Sequence, residues 1–212
     1  MVDQHLVDIM KKLQAESKQR KFLESVELAV NLKDIDLSNP KNRLQEEIIL
    51  PNGRGKPIRV GVFGGSEMAV KAKGVADVVI QPEEIEALAS NKSKARKFAA
   101  VADFYLAEAP LMPTIGKRLG VVLAPRGKMP KPIPPGSDPK AAIEKLRSSV
   151  TVRTRDRKTF HLPIGTKDMP PEKLAENLDA VLKRLMSKLE RGRQNIQSAY
   201  VKTTMGPSFK VI

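Results

Sequence analysis

Residues 51–66 read PNGRGKPIRVGVFGGS. The first five, Pro51-Asn52-Gly53-Arg54-Gly55, break any regular pattern, because proline removes a backbone donor and glycine accepts conformations other residues avoid. They mark a hinge or domain boundary, with Gly53 and Gly55 as its pivots and Val150 at the return crossing. From Lys56 the style of the chain changes. Residues 58–63 are a compact apolar strand ending in Gly64-Gly65, with a helix expected to follow.

Downstream, short strands alternate with helices. Strands are expected at 76–80, 103–106 and 120–123. Helices are expected from Pro82, over 91–100, over 111–119 and over 139–148. This alternation predicts a parallel sheet of Rossmann-like type. Upstream, Leu6, Ile9, Met10 and Leu13 space out an amphipathic helix over 4–19. Residues 22–32 alternate, with Val26, Leu28 and Val30 facing one way and Ser25, Glu27 and Ala29 the other. A turn is expected over 34–41 and a second strand over 44–50. Past residue 150 the early style returns. Segments 150–155 and 159–164 read as a hairpin around Asp156-Arg157-Lys158. Pro170-Pro171 starts a long helix bearing Leu174, Leu178, Leu182, Leu185 and Leu189, and Gly192 ends it. A last strand spans 199–204. The expected fold is therefore a split α+β domain with an antiparallel sheet (1–55 plus 150–212), carrying an inserted Rossmann-like α/β domain with a parallel sheet (56–149). Surface loops accept such insertions at small entropic cost.

The formal net charge of +14 makes a polyanion the expected partner, nucleic acid before a membrane surface. No apolar run approaches the roughly 18 residues of a spanning helix, so no membrane partner is expected. The chain has no cysteine, which removes disulfides and thiolate metal sites. Its two histidines stand far apart, so neither a metal site nor a cofactor is expected. Aromatics make up only 4% of the chain, too few for a stacking platform. An RNA partner would be read as a folded shape through phosphates and 2′-hydroxyls.

Several stretches are candidates for that reading. LGVVLAPRGKMPKPIPPGSD, residues 119–138, is a stiff basic arm with Arg126, Lys128 and Lys131 as auxiliary phosphate contacts. Ser25 and Glu27 share a strand face, where a carboxylate can accept hydrogen bonds from 2′-hydroxyls. Lys21 and Phe22 begin that strand, and TTMGPS at 203–208 forms a defined turn whose Gly206 admits a ligand backbone closely. The Gly64-Gly65 turn supports an alternative, a nucleotide-binding α/β enzyme. That pattern lacks the third glycine of GxGxxG and the GK[ST] of a P-loop, and an ordinary βα turn explains it better. Asp77, Glu83, Glu84 and Glu86 suit turns and helix first turns, where negative charge meets the helix dipole. No catalytic set is apparent.

Four stretches carry a resemblance: KFLESVELAVNLKDIDL, LPNGRGK, LMPTIGKRLGVVLAPRGKMPKP and YVKTTMGPS. In this order they resemble the signature of the large-subunit ribosomal protein family numbered one, across essentially the whole chain. The KMPKP form resembles archaeal and eukaryotic members, and the length points to an archaeon. The resemblance implies a non-catalytic cytoplasmic protein of the ribosome, a monomer when free. It implies binding to large-subunit ribosomal RNA at the base of a mobile stalk, near leaving tRNA. It also implies repression of the protein's own mRNA through a mimic site. Carried over by motif, the RNA-binding residues are Lys21, Phe22, Ser25, Glu27, Thr204, Met205 and Gly206, together with Lys158, His161 and Lys167. Ser25 stands where the family often has threonine, and Asn52 where it often has histidine.

Overall fold

The computed structural model describes residues 3–39, 42–154 and 157–212. The chain divides into two compact units. Unit 1 is Met1–Lys56 with Ser148–Ile212, and unit 2 is Pro57–Arg147. In chain order, unit 1 begins with α1 (Gln4–Glu16), β1 (Ser25–Leu32) and β2 (Gln45–Ile49). Unit 2 contains β3 (Val60–Phe63), α2 (Ser66–Ala72), β4 (Val78–Ile80), α3 (Pro82–Ser90), α4 (Lys92–Val101), β5 (Phe104–Glu108), α5 (Met112–Leu123), β6 (Lys131–Ile133) and α6 (Pro139–Arg147). Unit 1 resumes with β7 (Ser149–Arg153), β8 (Thr159–Thr166), α7 (Pro171–Lys188), β9 (Ile196–Thr203) and β10 (Ser208–Lys210).

In unit 1 the main sheet has the order β10-β9-β1-β8, and every pairing within it is antiparallel. The alternation in β1 is realised as expected. Val26, Leu28, Val30 and Leu32 are buried while Ser25, Glu27, Ala29 and Asn31 stay partly accessible. The buried side joins one core with Leu6, Met10 and Leu13 of α1 and with the leucine stripe of α7. One face of the sheet is thus packed and the other remains open, the usual condition of an antiparallel sheet. A bulge in β8 opposite Val26-Glu27 leaves Ile164 without a cross-strand partner.

A pair of shorter strands, β2 and β7, forms a separate antiparallel ribbon. This corrects the hairpin expectation. β7 pairs with β2, while β8 joins β1 in the main sheet. Local spacing had suggested a hairpin, but β7 begins directly at the return crossing from unit 2 and meets the strand that led out of unit 1. Residues 155 and 156, at the expected tip, lie outside the described residues, as does Pro40 in the expected 34–41 turn.

Unit 2 is a parallel sheet of order β4-β3-β5-β6. Alternate residues serve two cores. Val60, Val62 and Leu106 pack with Met68 of α2 and Ile143 of α6 on one face. Phe63, Tyr105 and Ala107 pack with Ile85, Ala95, Ile115 and Leu119 of α3–α5 on the other. The rings of Phe63, Phe98 and Tyr105 lie within 5.2–5.8 Å of one another, and the Tyr105 hydroxyl donates to Phe98 O at 2.7 Å. The expected strand at 120–123 is the end of α5 instead. Ile115, Leu119 and Leu123 are buried at helical spacing, whereas Val121 is 77% exposed. The fourth strand is Lys131–Ile133, inside the proline-rich arm. It lies at the sheet edge, where Pro132 can be tolerated.

The segment preceding the first crossing is held by Asn177 of α7, whose side chain is fully buried. Its Nδ2 donates to Gly53 O and Ile164 O at 2.9 and 2.8 Å, and its Oδ1 accepts from Asn52 N at 3.0 Å. Asn52 in turn donates from Nδ2 to Glu176 Oε2 at 2.6 Å. Gly53 and Gly55 both have positive φ, 66° and 71°. Any Cβ on Gly55 would overlap Thr166 Oγ1. Val150 lies inside β7, buried and paired with Ile48. Asn177→Leu keeps the volume but orphans three backbone groups, Ile164 O buried and Gly53 O and Asn52 N partly buried. Equilibrium urea unfolding should show a loss of about 2–4 kcal/mol, with no change in slope.

Candidate nucleic-acid interface

The site is assembled where β1 begins and β9 ends. Antiparallel pairing places Val26 opposite Thr203, and beyond it the two chain segments lock reciprocally. Ser25 N donates to Thr204 Oγ1 at 3.1 Å, and Thr204 N donates to Ser25 O at 3.0 Å. Met205 N donates to Glu24 Oε1 at 3.0 Å. Arg20 donates from Nη2 to Met205 O at 3.3 Å, and its Nε lies 3.6 Å from Glu24 Oε1. The 203–206 turn is therefore held by backbone and buried carboxylate, so its outer atoms are presented in a fixed geometry. Gly206 is required there, because a Cβ would overlap the buried Thr203 Oγ1.

Apolar and cationic groups converge around this turn. Phe22 is 50% and Met205 59% exposed, large values for side chains of this kind. Lys21, next to Phe22, is exposed as well. Lys56 reaches Ser25 Oγ at 2.8 Å. Lys167 donates to Ser17 O at 2.7 Å and Lys18 O at 3.1 Å, tying the loop after β8 to the end of α1. Gln14 completes that tie from α1 through Lys167 O and Met169 O. A groove of about 540 Å³ is lined by Arg20, Lys21, Phe22, Glu24 and Lys167.

The open face of the sheet continues from this end. Glu27 is in register with Lys202, and Ala29 with His161 on one side and Tyr200 on the other. The Asn31 amide links Ser198 Oγ and Thr159 Oγ1, both at 2.8 Å. The face is thus a ladder of hydrogen-bonding groups rather than an apolar surface.

Lys21, Phe22, Ser25, Glu27, Thr204, Met205, Gly206 and Lys167 are brought together, and His161 shares their sheet face. Lys158 is not with them. Its carbonyl accepts from Leu32 N at the opposite end of β1, about 23 Å away at a strand's rise per residue. Four residues were missed by sequence reading: Arg20, Glu24, Lys56 and Lys202. Glu24 precedes β1 by one residue, and although it falls in phase with the buried Val26, Leu28 and Val30, its charge argues for an exposed position. Lys56 stands in the boundary motif and was read only as part of it.

The auxiliary residues belong to unit 2 and have internal partners. Lys128 donates to Ala99 O at 3.0 Å and Ala102 O at 2.8 Å, capping the C-terminal carbonyls of α4. Arg126 donates to Arg96 O at 2.8 Å, and Lys131 lies 5.6 Å from the Phe104 ring centre. At the Gly64-Gly65 turn, Glu108 Oε2 accepts from Gly65 N at 3.1 Å. A carboxylate already occupies the place a nucleotide phosphate would need. Among the described residues no group of three or more histidine, cysteine or acidic side chains could hold a metal ion, and no helix is long and apolar enough to cross a membrane.

A strongly basic two-unit protein, one unit an open-faced antiparallel sheet and the other a parallel α/β sheet, has the build expected of a polyanion-binding protein. The chain belongs to the Ribosomal protein L1p/L10e family, whose model matches residues 13–207. It is 54% identical to the large ribosomal subunit protein uL1 of Methanocella arvoryzae, over all of both chains. It is also 54% identical to the uL1 of Thermoplasma volcanium, over 96% of this chain and 95% of that one. With the uL1 of Archaeoglobus fulgidus it shares 53% identity, over 92% and 91%. The family is one of ribosomal proteins, not enzymes.

Burial lowers the Lys128 ammonium below the usual lysine value. The folded chain therefore loses this proton before the unfolded chain does, and between the two values the unfolded state binds more protons. That group makes stability rise with pH over this window, which ends near 10.5. Lys128→Met should abolish the rise. It should also cost about 1–3 kcal/mol at neutral pH by orphaning two carbonyls, as thermal unfolding across pH would show.

Proposed function

We propose that the protein is a structural constituent of the large ribosomal subunit in the cytoplasm. On this reading it binds ribosomal RNA at the base of the mobile stalk, near leaving tRNA, and represses its own mRNA through a site of similar shape. Unit 1 carries the recognition and unit 2 adds positive charge. The observation that carries this reading is the reciprocal Ser25–Thr204 lock, which fixes the turn bearing the exposed Met205 and Gly206, with Arg20 bonded to Met205 O and Lys56 to Ser25. A flat apolar tip fits against riboses and exposed base edges, while Lys21 and Lys56 meet phosphates. Glu27, Ser25 and Thr204 offer acceptors to 2′-hydroxyls, which DNA lacks. The family membership and the archaeal sources of the relatives support the same conclusion and an archaeal origin.

Gel-shift titration of a stalk RNA fragment tests it. Met205→Ala should weaken binding at least tenfold, about 1.4 kcal/mol, without lowering the melting temperature. The same fragment made as DNA should bind far more weakly and without discrimination by the Met205 variant. Equal affinity of wild type and Met205→Ala would remove this turn from the interface. Lys21→Ala should instead reduce the steepness of the salt dependence by about one charge's worth.

A further inference from the structure

Unit 2 has a second concave surface, independent of the unit 1 site, where α3, α4 and α5 pack together. It is a groove of about 460 Å³, within the about 300–1,000 Å³ range of built ligand sites. Its floor is aliphatic, formed by the partly buried Ala89 of α3 and Val122 of α5, with the exposed Val121 at its apolar edge. Val121 points outward at 77% exposure, on a helix whose own packing face is made by Ile115, Leu119 and Leu123. The helix gains nothing from a β-branched apolar residue in water at that position. Cations form the rim: Lys92 and Arg96 from α4, Arg118 from α5, and Arg126 just beyond it. Arg118 already pairs with Glu86 of α3 at 3.6 Å, so the rim accommodates a carboxylate. The hydrogen bond from the Arg126 guanidinium to the backbone carbonyl of Arg96 holds the Arg126 side chain against α4.

The combination selects among anionic partners. A nucleic-acid backbone would use the rim but gain nothing from an aliphatic floor, and no aromatic ring lines the groove for a base to stack on. An amphipathic helix uses both. Its apolar anchors, spaced three and four apart, fill the floor, and its flanking carboxylates meet the planar arginine forks. We propose that this groove docks an acidic amphipathic helix of a partner protein, separately from the RNA surface of unit 1.

The probe is a fluorescent helix-forming peptide about 16 residues long, with leucines along one face and glutamates elsewhere. Its binding to the full chain is followed by anisotropy. Val121→Asn alters the apolar edge without changing charge at an exposed position, and Arg96→Gln alters the rim. Each should weaken the peptide roughly tenfold, while Thr204→Ala leaves it unchanged. A glutamate peptide without leucines, and a leucine peptide with lysines replacing the glutamates, should both bind at least tenfold more weakly. Equal binding of the leucine-free peptide would reduce the effect to net charge and overturn the proposal. So would unaltered affinity in both variants. Displacement of the peptide by an oligouridine whose own binding depends on Val121 would assign the groove to nucleic acid and likewise overturn it.

Discussion

The pairing of β1 with β9 is the constraint on which the rest of unit 1 depends. It joins segments separated by 179 residues and leaves the outer face of their sheet open. Once Val26, Leu28 and Val30 are committed to the core, register follows, because a slip of one residue would turn that whole set toward water. The same register then carries Ser25 to Thr204 and Glu27 to Lys202. Glu24, almost fully buried, takes the Met205 amide and the Arg20 guanidinium, so the charge it brings inside is matched. Folding of the core and presentation of the 203–206 turn are one event.

Unit 2 obeys a different rule. A parallel sheet is buried on both faces, so its strands feed two cores and its polar groups are satisfied inside the unit. Glu108 caps the start of α2, Lys128 closes the end of α4, and Arg147 reaches Val75 O at 2.8 Å. Charges that look available in a basic proline-rich stretch therefore have structural partners. Among the surfaces unit 2 leaves for solvent is the groove between α3, α4 and α5, where arginines flank aliphatic side chains.

Much of this was legible locally. Two-residue alternation in β1 identified which side chains stay accessible, and the leucine spacing of α7 identified a long amphipathic helix. The change of style at Lys56 and again near residue 150 gave the antiparallel and parallel sheets. Misreadings came where local signals are degenerate. Val121-Val122-Leu123 is a short apolar run led by two β-branched valines, yet Leu123 continues the buried spacing begun by Ile115 and Leu119, and helix packing prevails over strand propensity. Two strands separated by a short polar segment resemble a hairpin whichever sheets they join.

The sequence by itself determined the fold class, the family and most of the residues on the candidate surface, because these rest on periodicity, composition and contiguous motifs. Only the tertiary structure decided which strands are neighbours, that Glu24 and Asn177 are buried anchors, that Lys56 reaches Ser25, and that Lys158 stands at the far end of the sheet. The physical reason is that alternation specifies the face of a strand but not its partner. A hydrogen bond between distant residues becomes readable only when the core has chosen the register that brings them together.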